Sequence, residues 1–229
     1  MRERLAASRI LLVDRLPPAR AILTGILTRL GIPATSIHHA EHGQSALAQL
    51  AEQPADIVIS ALDFAPVSGL ELLARIRQGE SAAPANQPVL VVTADGTPEH
   101  RLAAARLAVD GVIAKPPHPL QVERSIIRLL ATRRPAEPAC CQVVRLPAAL
   151  PADRTIVRPV LALTPGQMLT SDLLGHNGTL LLPRGSLLTA AVISVLLQYR
   201  RHFGIENATL LRATQIGRAS CRERVSSPV

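Results

Sequence analysis

Between Arg9 and about Thr132 the chain alternates short apolar runs with longer amphipathic stretches five times over, and this alternation restricts the fold more than any other feature. The short runs, Ile10 to Val13, Ser36 to His39, Asp56 to Ser60, Val89 to Val92 and Gly111 to Ala114, read as strands. The stretches that follow them, Ala19 to Leu30, Gln44 to Glu52, Leu70 to Gln78, Pro98 to Ala108 and Leu120 to Ala131, read as helices. Strand and helix in strict succession predict an α/β domain with a five-stranded parallel, doubly wound sheet. Aromatic residues make up only 1% of the chain against 48% hydrophobic. The core is therefore aliphatic, which suits a sheet covered on both faces. In an open sheet of this kind the functional groups lie on loops at the carboxyl ends of the strands. The positions to inspect are Asp14 and Arg15, Ala61 to Ser68, Thr93 to Gly96, and Lys115 to Pro117.

Composition changes after the fifth repeat. Residues 133–154 carry four prolines without helical or alternating periodicity and read as a linker between a domain at 1–132 and a small unit at 155–214. In the second unit, Asn177 and Gly178 stand between apolar segments, which predicts a β-hairpin because both tolerate positive φ. Thr189 reads as the N-cap of a helix from Ala190 to Phe203, ended by Gly204. About 60 residues bury too little to stand alone, so this unit is expected to dock on the first domain or on a partner.

The formal charge of +8 is nearly all arginine, with Lys115 the single lysine. No recognition helix or aromatic-flanked basic stripe accompanies the charge, so nucleic acid is not the expected partner. Ile216 to Val225, IGRASCRERV, match the translation of one frame of a common sequencing adapter, so residues 215–229 are read as adapter read-through and set aside. Without Arg218, Arg222, Arg224 and Glu223 the charge is +6. Three cysteines, of which Cys140 and Cys141 are adjacent, make neither a disulfide framework nor a metal-ligand spacing. The first residues lack a secretory signal and no uncharged apolar run is long enough to span a bilayer, so a cytoplasmic location without membrane contact is expected. His38, His39, Glu41 and His42 lie at a strand end, where neighbours point to opposite faces, and are read as a solvated edge, not a metal site.

The blocks RILLVDR, DIVISALDFAPVSGLELLARIR, PVLVVTADG and GVIAKPP resemble, in order and spacing, the response-regulator receiver family. The resemblance covers about Arg9 to Thr132 and implies a flavodoxin-like receiver fold. It further implies a site where an acidic pair after the first strand and an Asp after the third hold Mg²⁺, the latter Asp accepting a phosphoryl group. A hydroxyl after the fourth strand and a lysine after the fifth then hold the phosphoryl oxygens. Asp14, Thr93, Lys115 and Pro116 match that pattern, the Lys-Pro bond being usually cis in the family. Arg15 stands at the second acid and Ala61, eight residues before Gly69, at the phosphoacceptor. Ala65 and Ser68 replace the loop's usual proline and acid, and Val112 the usual aromatic. A methyl group neither accepts phosphate nor binds metal, so Mg²⁺ binding is doubtful, no cofactor is expected, and Arg15 is expected to close the pocket by pairing with Asp14.

The second unit, LTPGQMLTSDLLGHNGTLLLPRGSLLTAAVISVL, is similar to a segment that accompanies HD-GYP-type phosphodiesterases, though no His-Asp doublet is present and that activity does not carry over. The expectation is a non-enzymatic, degenerate receiver acting by protein contact. Its partners would be a histidine kinase, a phosphotransfer protein or an output enzyme. The face made by strand 4, helix 4, strand 5 and helix 5, at Val89 to Val92 and Pro98 to Ala131, would serve docking or a homodimer. Two other readings stand beside it. One is a phosphate-gated receiver using Asp63 or Asp14, and the other a nucleotide or nucleic-acid binder in the C-terminal unit.

Overall fold

The computed structural model describes residues 2–62, 64–94, 96–131 and 155–211. A short helix α1 (Arg2–Ala7) precedes five strand–helix pairs: β1 (Ile10–Val13) and α2 (Pro17–Arg29), β2 (Ile37–Ala40) and α3 (Gly43–Glu52), β3 (Ile57–Ser60) and α4 (Gly69–Gln78), β4 (Val89–Thr93) and α5 (Pro98–Arg106), β5 (Gly111–Ala114) and α6 (Pro119–Ala131). The strands form one parallel sheet in the order β2-β1-β3-β4-β5. Alternate strand residues serve opposite faces. Ile10, Leu12, Ile57, Ile59, Leu90 and Val92 pack with Leu23, Leu27, Val122 and Ile126 of α2 and α6. Leu11, Val13, Val58 and Val89 pack with Ala46, Leu50, Leu72 and Ile76 of α3 and α4.

The five-stranded parallel, doubly wound architecture expected from the alternation is present. β2 begins one residue later than expected because Pro33 starts a 3-10 turn over Ala34–Ser36. The helix expected to run to Ala108 ends at Arg106, where the chain turns sharply and Ala108 takes a φ of 51°. That turn is held by Arg77, a residue whose helical setting gave no sign of burial. Its side chain is fully buried. Its Nε donates to the Leu107 carbonyl at 3.2 Å, Nη1 to Ala85 at 3.0 Å and Gln87 at 2.7 Å, and Nη2 to Ala108 at 3.2 Å and to Asp110 Oδ2 at 3.0 Å. Asp110 Oδ2 also accepts from the Val89 amide at 2.8 Å. One guanidinium thus ties α4, the approach to β4 and the α5–β5 turn, with its donors satisfied as burial requires.

The C-terminal unit contains more than the expected hairpin and helix. β6 (Thr155–Pro159) pairs antiparallel with β9 (Asn207–Leu211), a pairing invisible locally because its partners lie about fifty residues apart. Between them come β7 (Leu173–Leu174), β8 (Leu180–Leu182), α7 (Ala190–Gln198) and α8 (Arg200–Phe203). The β7–β8 connection is wider than a two-residue turn. Gly178 takes a φ of 76°, Asn177 does not adopt positive φ, and the Asn177 side chain instead accepts from the Thr179 amide at 3.1 Å. Thr189 caps α7 as expected, accepting from the Val192 amide at 3.2 Å. The expected single helix is broken at Tyr199, and Gly204 ends α8 in the left-handed conformation.

This unit docks on α5. Leu102 and Ala105 enter the same apolar cluster as Leu182, Val192, Leu196 and Phe203. Glu99 meets His202 at 2.8 Å, and that hydrogen bond holds the Glu99 carboxyl below the usual carboxylate range. The expected free docking or dimer face is therefore partly occupied by the chain itself. The residues expected to form the linker (133–154) and those set aside at 215–229 lie outside the described residues.

Replacing Arg77 by Ala strips Asp110 of this cation inside the fold. The expected loss is roughly 3–5 kcal/mol in urea denaturation. A loss under about 1 kcal/mol would mean that water replaces the network at little cost.

Candidate functional site

The carboxyl ends of β1, β3, β4 and β5 meet at one edge of the sheet, and the sequence-selected residues emerge there. Asp14 follows β1 directly and is buried. Its amide donates to the Ala40 carbonyl at 3.1 Å, which fixes the turn against β2. Carboxylate Oδ1 accepts from the Leu16 amide at 2.9 Å, while Oδ2 pairs with the Lys115 ammonium. The Asp14 carbonyl accepts from Arg20 Nη1 on α2. Arg20 also reaches Glu41 at 3.5 Å.

Lys115 is delivered by the end of β5. Its amide donates to the carbonyl of Thr93 at 2.8 Å, continuing the β4–β5 ladder past Thr93 and Ala114. The Lys115–Pro116 peptide is cis, as the resemblance implied. Thr93, the last residue of β4, is buried. Ala61 follows β3 and is buried; its amide donates to Val13 at 2.8 Å, and its carbonyl accepts from the Ser60 hydroxyl at 2.8 Å. The loop then folds back, because Gly69 donates to the Leu62 carbonyl at 3.0 Å. A Cβ at Gly69 would stand 1.9 Å from the Ala61 oxygen, so the close approach needs glycine.

Asp14, Thr93 and Lys115 are thus brought together, with Ala61 one strand away through the β1–β3 register. Arg15 is not part of this cluster. It is exposed, and the cation that pairs with Asp14 is Lys115, correcting the expected Arg15 ion pair. Asp63 lies outside the described residues. Arg20 and Ser60 were not foreseen, since Arg20 reaches the Asp14 carbonyl through the particular turn that joins β1 to α2.

The histidine-rich segment has another use. His42 caps α3, its Nδ1 accepting from the Ser45 amide at 3.2 Å. His39 on the edge strand has its imidazole held below the ordinary histidine range, first by desolvation and then by Arg20 and His38. Among the described residues no group of three or more His, Cys, Asp or Glu side chains could hold a metal ion. No helix among them is long and apolar enough to cross a membrane. Beside Lys115, an apolar hollow of about 330 Å³ is lined by Ala19, Ile22, Leu23, Val92, Pro116 and Pro117.

The response regulator receiver domain family matches residues 10–126, half of the chain and the whole of the five-stranded sheet. The chain belongs to the response regulator receiver domain family. Chemotaxis protein CheY-3 of Vibrio cholerae is 33% identical over 108 residues, which make up 47% of this chain and 80% of that protein. Chemotaxis protein CheY of Pseudomonas aeruginosa is 31% identical over 108 residues, covering 47% of this chain and 84% of its own length. A solved candidate response regulator from Chloroflexus aurantiacus shares the fold, with a TM-score of 0.50 and 24% identity over 55% of this chain and 98% of that one. The receiver is accordingly a CheY-like module of two-component signalling, a class that is generally non-enzymatic. Receiver domains interact with histidine kinases, phosphotransfer proteins and output domains.

Lys115→Ala leaves the Asp14 carboxylate, 6% exposed, without its ammonium. The expected cost is about 1–3 kcal/mol, whereas Arg15→Ala should stay within about 0.5 kcal/mol. Denaturant melts of both variants check this, and equal losses would contradict the assignment of Lys115 as the partner.

Proposed function

We propose that this chain is a degenerate receiver that works by protein contact in a two-component or phosphorelay network and does not take a phosphoryl group at position 61. The observation that carries this reading is Ala61 itself: directly after β3, where the family's acceptor belongs, stands a buried methyl with no lone pair. The surroundings support it. Family members hold Mg²⁺ with carboxylates, but here one Asp14 oxygen is taken by the Leu16 amide and the other by the Lys115 ammonium, and the second acid is an exposed arginine. These described residues do not suit Mg²⁺, and no step is derived through it. Asp14, Ala61, Thr93, Lys115 and Pro116 then make up a degenerate phosphorylation pocket, without a catalytic residue or a metal ligand, with Arg15 exposed beside it.

Under this reading the division is a receiver at 1–132, a linker at 133–154 and a small unit at 155–214, the last similar to a segment of HD-GYP-type proteins. The partner is a histidine kinase, a phosphotransfer protein or an output enzyme in the cytoplasm. Because the C-terminal unit covers α5, a homodimer through the β4, α5, β5 and α6 face requires that unit to move aside. Among the described residues, exposed Ile22, beside Pro116 and Pro117, together with exposed Leu16 and Leu120, offers apolar surface for contact.

Intact-mass spectrometry after incubation with Mg²⁺ and acetyl phosphate tests the proposal, with Ala61→Asp as control. The expected result is a phosphoryl adduct on the variant and none on the unchanged chain. An adduct on the unchanged chain, mapped to Asp63 or Asp14, would overturn it.

A further inference from the structure

We propose that the cleft where α7 leans on the receiver binds a small organic phosphate of nucleotide size. The cleft is a groove open to solvent that offers about 540 Å³ between α5, the start of β5, α6 and α7, a volume within the range of small-ligand sites and placed at a joint between two units.

Charge comes first. Arg101, Arg124 and Arg128 line the cleft, and Asp110 is the one carboxylate among the lining residues. Asp110 Oδ2 is already engaged by Arg77 and by the Val89 amide, so little of its charge is left for the cleft. Among the described residues, two of the three guanidiniums are held in place by backbone carbonyls and not by acids. Arg128 Nη2 donates to the Asp110 carbonyl at 2.7 Å, and Arg101 Nε to the Gly96 carbonyl at 3.1 Å. A carbonyl orients an arginine without neutralising it, and a fork has further N–H groups to offer an anion. Arg101 is also set at 6.0 Å over the Tyr199 ring, which ties it to the C-terminal unit. Arg128 packs closely over Gly111, where a Cβ would lie 2.9 Å from Leu90 Cδ1 and 3.1 Å from Arg128 Nη2.

The remaining wall argues for more than a bare anion. Val112, Ile113 and Val195 add apolar lining, while Ser125 on α6 and Ser194 on α7 add hydroxyl donors and acceptors. Inorganic phosphate would fill a small part of such a volume and leave the apolar lining wet. A phosphate joined to a flat or apolar body satisfies both. The groove at Pro159 to Asn207 carries Arg200 and Arg201 with Glu206 beside them, and the hollow at Pro116 has a single cation already paired, so neither makes the same case. A ligand seated here touches α6 and α7 together and would strap the C-terminal unit to the receiver.

The test is isothermal titration of the full chain with adenosine and guanosine 5′-monophosphates, with inorganic phosphate and free adenosine as the separate halves, at constant ionic strength. The expected result is saturable binding of a nucleotide at least about tenfold tighter than either half. Arg124→Glu, at an exposed position whose variant should fold, and Ser194→Glu, on α7, should each weaken it at least about tenfold. Circular dichroism of both variants confirms the fold. Three results would overturn the proposal: no saturable nucleotide binding, inorganic phosphate binding as tightly as the nucleotides, or affinity unchanged in both variants. Oligonucleotide binding without mononucleotide binding would overturn it too, pointing to nucleic acid.

Discussion

Burial of both faces of β1, β3 and β4 is the constraint on which everything else rests. Each of these strands is apolar at almost every position, so helices must cover the sheet on two sides, and only right-handed crossovers deliver them there. Once the strands lie in the order β2-β1-β3-β4-β5, their carboxyl ends fall on one edge. Asp14, Ala61, Thr93 and Lys115, spread over about a hundred residues of sequence, become neighbours as a consequence of that order.

The same geometry explains how the site closes on itself. Asp14 follows a fully buried strand, and its carboxylate must find donors inside the protein. The Leu16 amide and the Lys115 ammonium supply them. With a methyl at position 61 and an exposed arginine at 15, the pair satisfies itself without a bound ion, which is the physical core of the proposed phosphorylation-independent role.

A second theme is the joint between the units. Arg77 anchors the turn after α5, and α5 is the helix on which the C-terminal unit rests through Leu102 and Ala105. The buried arginine therefore shapes both the receiver core and the platform for α7. The exposed Glu99–His202 pair contributes register more than energy, as surface ion pairs usually do.

Much of this was legible in the residues. β1 and β5 begin and end where the apolar runs do, and Thr189 and Gly204 cap helices as their types require, because those signals are local. The alignment of Asp14, Thr93 and Lys115 followed from the four blocks, since each sits one step past a readable strand. The break at Tyr199 and the wider turn at Asn177 were not legible: a local pattern allows several turn geometries, and packing selects among them. Nor were the β6–β9 pairing, the buried Arg77 or the choice of Lys115 over Arg15 as partner for Asp14, because each joins residues far apart in sequence. Sequence alone determined the strands and helices of the receiver, their order and the chemical types at the strand ends, through periodicity and side-chain identity. Only the tertiary structure decided which charges meet and which face the C-terminal unit covers, because those outcomes depend on distances that exist once the chain has closed.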